Sequence, residues 1–341
     1  MPGLPNKPVQ VLPIKLYNNT GTATPIPFQQ MITYDVSGNT NIRSDCANVW
    51  FTLYDGSVLK SWLEAVSGTW WIVIPNSIIA NSSVVVYMNI GPATDVYFDG
   101  ITIGCAPQLS ATYGQYDNGA NVFNFYDNFA GTALSSKWVT KASGTYTMTV
   151  NDGLKLSQNA GQISLYTSGT FGINNIFETY FSASGGGSGG FGAASPGISM
   201  TQQTYATVID PTNATSIISM WGWGNHNEGS YWSSMSGNSS SQTYVATTQT
   251  GAVTGSIYSI AYLNDNISFY WNNYVFSNSI NTNYPTGNVY GFIGIGGVTA
   301  ASGVVYSFQW LRVRAYPPNG VMPYTLFPQP KENLILADAV I

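Results

Sequence analysis

Charge is what this chain has least of. Only 7% of its 341 residues are charged, against roughly a quarter in ordinary soluble proteins. Lys and Arg are absent from the whole stretch between Lys155 and Arg312. Nucleic-acid binding, which needs clustered cations against phosphates, is therefore not expected. There is a single histidine, His226, and one imidazole makes no His-rich metal site. Neither a CxxC pair nor an EF-hand-like ladder of acidic residues occurs, so no metal and no cofactor is expected. No apolar run reaches about 18 residues, so no membrane-inserting helix is expected. Cysteine is limited to Cys46 and Cys105. A bond between them would stabilise by about 4 kcal/mol in the chain-entropy picture; two buried free thiols are the alternative.

Ser, Thr, Asn, Gly and Tyr take the place of the missing charges, and aromatic residues reach 14%. That aromatic share excludes a disordered acidic chain. A fold with few carboxylates changes its charge little as pH falls, so this composition suits an acidic setting. The start, MPGLPNKPVQVLPIKLY, lacks the apolar core of a signal peptide. Two explanations stay open: a virion protein assembled in the cytoplasm, or a secreted chain whose signal was removed.

The patterning is that of strands. VFNFYDNFAGTALSSKW (Val122–Trp138) sets Phe123 and Phe125 two apart, on one strand face. VVYSFQWLRVRAY (Val304–Tyr316) repeats the alternation and is expected to lie beside it, as last strand against first. From Val9 to about Asp117, short strands are separated by turn signals at Asn18-Asn19, Ser37-Gly38-Asn39 and Asp55-Gly56. TWWIVIP and SSVVVYMNIG read as strands buried on both faces. The second half carries strand signals at sandwich spacing, with hairpin turns at Asn151-Asp152-Gly153 and Asn264-Asp265-Asn266. Ser184–Gly192, SGGGSGGFG, reads as a flexible loop; without GK[ST] and a following helix it is no phosphate loop. The expectation is an all-β chain of two sandwiches in series. Residues 1–118 form an antiparallel β-sandwich, 119–316 a jelly roll, and 317–341 an extended tail.

A resemblance accompanies this reading. Asp45, Trp50, Phe51, Asp55, Gly56, Trp62, Glu64, Trp71, Val73, Pro75, Tyr87, Met88 and Gly91 fall in the order of one known motif. The first module thereby resembles an uncharacterised extracellular β-domain family of archaeal and bacterial surface proteins with a W-x-E strand. Phe125, Asp127, Phe129, Gly131, Leu134 and Trp138 resemble the opening motif of a concanavalin A-like lectin/glucanase jelly roll. The resemblance implies a surface-exposed, carbohydrate-associated or scaffolding role and brings no enzymatic activity with it.

Catalysis finds little support in the residues. Glycoside hydrolysis needs two carboxyl groups across one cleft, and jelly-roll glucanases supply them as E-x-D-x-x-E, which is absent here. The second module offers Asp127, Asp152, Glu178, Asp210, Glu228 and Asp265. Glu178 alternates with aromatic neighbours and reads as a solvent-facing strand residue. No catalytic residue is expected, and a hydrolase or lyase ranks third among the readings.

The best ligand candidate is the aromatic loop SMWGWGNHNEGSYWSSM. Tyr231 and Trp232 would offer flat faces to a sugar, and Asn225, Asn227 and Glu228 would take its hydroxyls. Trp221 and Trp223, spaced two apart, are expected to fill the core. N-x-[ST] sequons occur at Asn18, Asn81, Asn213, Asn238 and Asn266. Asn238, Asn213 and Asn266 are the candidate glycosylation sites, Asn238 first because its surroundings read as a loop. The apolar end Asn333–Ile341 either joins this chain's own sheet or completes the sheet edge of a neighbour. The expected partners are thus the chain itself, through sheet edges or that tail, other surface or capsid proteins, and surface glycans. The first functional expectation is a virion surface protein of an archaeal virus from a hot, acidic habitat. The alternative is an extracellular adhesin or filament subunit on a cell surface.

Overall fold

The structure is a computed structural model that describes residues 8–158, 161–184, 193–203, 217–226, 229–250, 255–271, 274–296 and 305–327. The chain divides into two compact units. One holds the residues up to Ser110, Gln115–Val122 and those from Pro317; the other holds Ala111–Gly114 and Phe123–Tyr316.

The first unit begins with β1 (Gln10–Asn18), β2 (Phe28–Thr33), β3 (Val49–Thr52) and β4 (Val58–Leu59). β5 (Ser61–Ala65), β6 (Thr69–Ile74), β7 (Ser82–Ile90) and β8 (Ile103–Cys105) follow. β2, β6, β5 and β8 form one sheet in that order, β5 and β8 running parallel. The Asp55-Gly56 signal makes the β3–β4 turn, where Gly56 takes φ 83°, a left-handed conformation that glycine adopts without a Cβ clash. Alternation buries Ile14, Leu16, Val86 and Met88 on one sheet and Phe28, Ile32 and Ile72 on the other. Phe51 meets Trp70 across the core at 5.9 Å, edge to face. TWWIVI of β6 is buried along most of its length, as its apolar run leads one to expect. SSVVVYMNI of β7 is not. Its first half alternates half-buried with exposed, and Val85 is among the exposed positions.

Cys46 and Cys105 are both free and both buried, which corrects the expected disulfide. Each thiol has its own neighbour: Cys46 Sγ lies 3.5 Å from Val66 O and Cys105 Sγ 3.3 Å from Ser110 Oγ. Burial pushes both thiols up to about 11, so neither forms the reactive thiolate near neutral pH. A disulfide-exchange dye should therefore find no thiol in the folded protein and both after unfolding in denaturant. Finding neither after unfolding would restore the bond.

The second unit holds β9 (Phe125–Asp127), β10 (Trp138–Ser143), β11 (Tyr146–Val150), β12 (Leu154–Gln158) and β13 (Gln162–Thr167). β14 (Asn175–Ser184), β15 (Ala193–Ser199), β16 (Ile218–His226), β17 (Gly229–Asn238) and β18 (Ser241–Thr250) come next. β19 (Ser256–Tyr262), β20 (Ile267–Trp271), β21 (Tyr274–Ile280), β22 (Tyr290–Gly296) and β23 (Val305–Ala315) complete it. Among the described residues they make a two-sheet jelly-roll sandwich. A seven-stranded sheet runs β10-β13-β22-β15-β16-β17-β18, and an eight-stranded one runs β11-β12-β23-β14-β19-β20-β21 with β9 against β23. First strand does lie against last: Phe125 pairs with Val313 and Asp127 with Leu311. Both expected hairpin turns form, Asp152 and Gly153 at positive φ and Leu263 N bonding Asn266 O across the other. The core between the sheets is built from Leu154, Leu165, Phe177, Phe181, Ile260, Ile293, Phe308 and Val313 among others.

After Tyr316 the chain returns to the first unit. β24 (Tyr324–Leu326) pairs with β1, giving a sheet of order β24-β1-β7-β3-β4. Part of the expected extended tail is therefore a strand. Gln30 Nε2 donates to Pro323 O and Phe327 packs on Tyr34 at 5.1 Å, tying β24 to the other sheet. The expected tail partner Asn333–Ile341 and the glycine-rich residues 185–192 lie outside the described residues.

Candidate functional site

The aromatic segment singled out as a ligand site is a β-hairpin, not a loop. β16 and β17 pair along their length, leaving only 227–228 between them. Its Gly, Asn and Ser content resembles a loop, while the alternation of Trp221 and Trp223 belongs to a strand. Trp232 is the register partner of Trp223, which pairs with Ala194, and Ala194 with Ile295. Ile295 in turn pairs with Ile163, and both isoleucines are in the sandwich core. Tyr231 lies opposite Gly224, and Asn225 opposite Ser230. Asn227 and Glu228 lie outside the described residues, so the grouping of the five candidates is not tested there.

Further along the same hairpin the inner face turns polar. Ser219 and Ser236, both fully buried, share a hydrogen bond of 2.7 Å, and Ser236 Oγ donates to Asn283 O. Thr243 and Thr282 hydroxyls lie 3.0 Å apart beside them. Uncharged hydroxyls thus join strand to loop where aliphatic residues fill the rest of the sandwich.

The carboxylates are held in structural bonds. Asp127 Oδ2 accepts from Trp138 Nε1 at 2.8 Å and from Ser135 Oγ, while its Oδ1 accepts from Phe129 N at 2.8 Å. This explains the spacing of the opening motif: one acid fixes the tryptophan and the tight turn between them. Phe129 is held there at φ 52°, uncommon for a bulky residue, and Gly131 follows at φ 80°. Asp152 is exposed in its turn, and Asp265 Oδ1 accepts from Asn266 Nδ2 at the surface. In the first unit, Glu64 accepts from Trp71 Nε1 and Asp117 from Trp62 Nε1, both at 2.8 Å. Asp210 lies outside the described residues.

Glu178 departs most from expectation. It is fully buried, not solvent-facing, because β14 lies between β19 and β23 and meets arginines on the latter. Arg312 Nε donates to Glu178 Oε2 at 2.6 Å. Arg314 donates through Nε to Oε2 and through Nη2 to Oε1, both at 2.9 Å. Ser259 Oγ adds a bond to Oε1 at 3.2 Å. The Arg312 guanidinium lies 4.8 Å from the Phe123 ring centre and 4.6 Å from that of Trp310. Burial alone would raise the carboxyl; the two guanidiniums overcome it and hold Glu178 at about 2. The group is a fixed anion, unsuited to exchanging protons near neutral pH.

A feature that residue spacing did not single out is the outer face of the seven-stranded sheet. GQISLYT alternates so that Ile163 and Leu165 face the core while Ser164 and Tyr166 face outward. Tyr166 packs on Phe292 at 5.6 Å and on Tyr290 at 6.4 Å. Tyr166, Ser164 and Phe292 are nonetheless fully buried, and only Tyr290 is partly open. The rings are packed rather than presented as a platform. Among the described residues no group of three His, Cys, Asp or Glu side chains could hold a metal ion.

Of the sequons, Asn18 is buried with its Nδ2 donating to Thr22 O and Ile78 O, which leaves no room for a glycan. Asn238 caps its own turn, accepting from Ser240 N and Ser241 N. Asn266 is half-buried beside Asp265, and Asn213 lies outside the described residues.

No protein-family model matches the chain, so the surface-domain resemblance of its first module stands on the motif residues alone. One curated protein, the uncharacterized protein 562 of Sulfolobus islandicus rod-shaped virus 1, is 28% identical over 94% of this chain. A distant relative of this protein is encoded by an archaeal virus. The chain spans 59% of that relative's length. Among solved structures, a protein from work on endo-acting O-glycanases of the human gut microbiota has 10% identity and a TM-score of 0.44. It is matched over 57% of this chain and 99% of its own. A pseudo β-1,3-glucanase of Mycobacterium tuberculosis gives 10%, 57%, 98% and 0.41 by the same measures. A Bacteroides ovatus mixed-linkage glucan protein of glycoside hydrolase family 16 gives 13%, 55%, 99% and 0.42. Similarities at that level carry no argument about chemistry. No helix among the described residues is long and apolar enough to cross a membrane.

Proposed function

We propose that this protein is a non-enzymatic structural or attachment component on the surface of an archaeal virus particle. The observation that carries the reading is the viral relative aligned along 94% of the chain. Two features of the molecule agree with it. The described carboxylates of the second unit are bonded into the fold or sit in exposed turns, with none poised as an acid or base pair. The composition, low in charge and rich in uncharged hydrogen-bonding groups, suits a particle standing in acid. Glycan recognition is the finer part of the proposal and rests on the aromatic hairpin β16–β17.

Immunogold labelling of intact particles of the virus that encodes the gene tests the location. Gold on the particle surface is expected; label confined to infected-cell membranes or cytoplasm would instead support the cell-surface alternative or a non-structural role. On a glycan array, the intact chain is expected to retain a sugar that Trp232→Ala loses. Binding by neither form would remove glycan recognition.

A further inference from the structure

The chain carries five N-x-[ST] sequons, and the fold treats them unequally. A glycan on asparagine makes three demands. The Nδ2 must reach solvent, the hydroxyl two residues on must be open to the enzyme that attaches the sugar, and the surface beside them must leave room for it. Asn18 fails the first, being buried with its Nδ2 donating to two carbonyls. Asn266 fails the second, because Ser268 is buried and bonded to Asn266 Oδ1 and Ser279 Oγ. Asn238 is half-buried, its carboxamide oxygen committed to the backbone of its own turn. Asn213 lies outside the described residues.

Asn81, in Asn81-Ser82-Ser83, meets all three. It sits in the turn that enters β7, where Ser82 N donates to Ile79 O and Asn81 N to Thr20 O, both at 3.1 Å. Its φ of 54° is left-handed, a conformation that asparagine takes more readily than most residues with a side chain. The turn alone would accept glycine or aspartate as well, and it makes no demand for a hydroxyl at position 83. Yet Asn81 and Ser83 are both exposed, and among the described residues the Asn81 carboxamide bonds to no other side chain or backbone group.

The surface beside the turn is a second, independent observation. Ile79 is 67% exposed, and Ile26 is 68% exposed on the adjoining loop. Thr24 ties the two loops together: Thr24 N donates to Ile78 O, and Ile78 N to Thr24 Oγ1 at 2.8 Å. Two isoleucines standing in water on neighbouring loops mark a surface that something covers. A sugar ring, with C–H groups on its faces and hydroxyls at its rim, covers such residues and keeps the outside wet. The site is also well placed along the sheet. Asn18 pairs with Ser82 eight positions from Gln10, about 27 Å along β1 from where that strand begins. β24 runs away from it, from Tyr324 opposite Tyr17 to Leu326 opposite Lys15.

We propose that Asn81 is a site of N-linked glycosylation. The sugar comes from a lipid-pyrophosphate carrier: Asn81 Nδ2 bonds to its anomeric carbon as the bond from that carbon to the carrier oxygen breaks. The lipid pyrophosphate leaves with the electron pair, and the amide proton passes to a base of the transferase. The attached glycan lies over Ile79 and Ile26. The inference deepens the surface-component reading and rests on it for its purpose.

The test is peptide mass spectrometry of the protein isolated from cells infected by the virus that encodes it. Trypsin leaves Asn81 in one peptide, Ser61–Lys137, which holds no other sequon. That peptide should be heavier by a whole number of sugar residues and lose them stepwise on fragmentation. Ser83→Ala should abolish the added mass and Ser83→Thr should keep it. Both changes leave the left-handed Asn81 in place and alter an exposed side chain, so the circular dichroism spectrum should not move. An unmodified Ser61–Lys137 peptide would overturn the proposal. So would added mass that persists in Ser83→Ala, which would place the sugar on another residue. Particle labelling separates the two readings: gold on particles with a bare Asn81 sinks this inference alone, and a glycan without gold sinks the surface reading alone.

Discussion

Replacing Glu178 by Gln is expected to cost the second unit about 3 to 5 kcal/mol, the penalty for removing one partner from a buried ion cluster. Both guanidiniums would stay in place, Arg312 fully buried between Phe123 and Trp310, with their shared counter-charge gone. At about 2 to 4 °C per kcal/mol for a unit of this size, thermal unfolding should fall by roughly 10 °C. The pH dependence follows from the sign of the shift. Glu178 sits at about 2 in the folded protein against an ordinary 4.5, so its contribution is complete above about 4.5. It is lost as pH falls through about 2. The gap between wild type and variant should therefore be widest above pH 4.5 and close towards pH 2. Exchanging the whole cluster for apolar residues (Glu178→Leu, Arg312→Met, Arg314→Met) should cost far less than the single change, since no uncompensated charge remains. A single variant as stable as wild type at neutral pH would show that the cluster is held by something other than this carboxylate.

The second large effect is expected at Asp127. Asp127→Ala would leave the buried Trp138 indole N–H without its acceptor and release Phe129 N, which is held at φ 52°. An orphaned buried donor costs about 1 to 3 kcal/mol, and the freed turn adds to it, so a loss of about 3 kcal/mol is expected. Asp127→Asn keeps the shape and one acceptor oxygen and should lose about half as much. Chemical denaturation of both variants separates the contributions. Equal losses would mean that the negative charge, not the hydrogen-bond geometry, secures the motif.

Both sites show what the residues disclosed and what they withheld. The Phe125, Asp127, Phe129, Gly131, Trp138 spacing was readable because its bonds are local, closing within eleven residues. The pairing of the first strand with the last was also readable, since both alternate strongly and the last strand carries apolar residues on every other position. Glu178 was misread because a lone carboxylate between aromatic residues is indistinguishable from a solvent-facing one. Its partners come from a strand far downstream. A signal existed: Arg312 and Arg314, two apart on one strand face, are the first cations after Lys155. In so charge-poor a chain, two such cations side by side ask for a buried anion.

The hairpin β16–β17 was misjudged for a different reason. Its glycines and asparagines carry turn propensity, but pairing along both strands outweighs local preference. The first half of β7 posed the opposite problem. SSVVVY is apolar enough to read as buried on both faces, and only the three-dimensional path of the segment after Gly91 decides that Trp50 is covered and Val85 is not.

The placement of Arg312 and Arg314 also governs how this protein will respond to trypsin. That protease cuts after Lys or Arg and finds none from Leu156 to Leu311, while the next two sites are locked onto Glu178 inside the fold. The folded second unit should consequently survive digestion almost whole beyond Lys155. A peptide survey will register it faithfully only with an enzyme that cuts beside aromatic side chains.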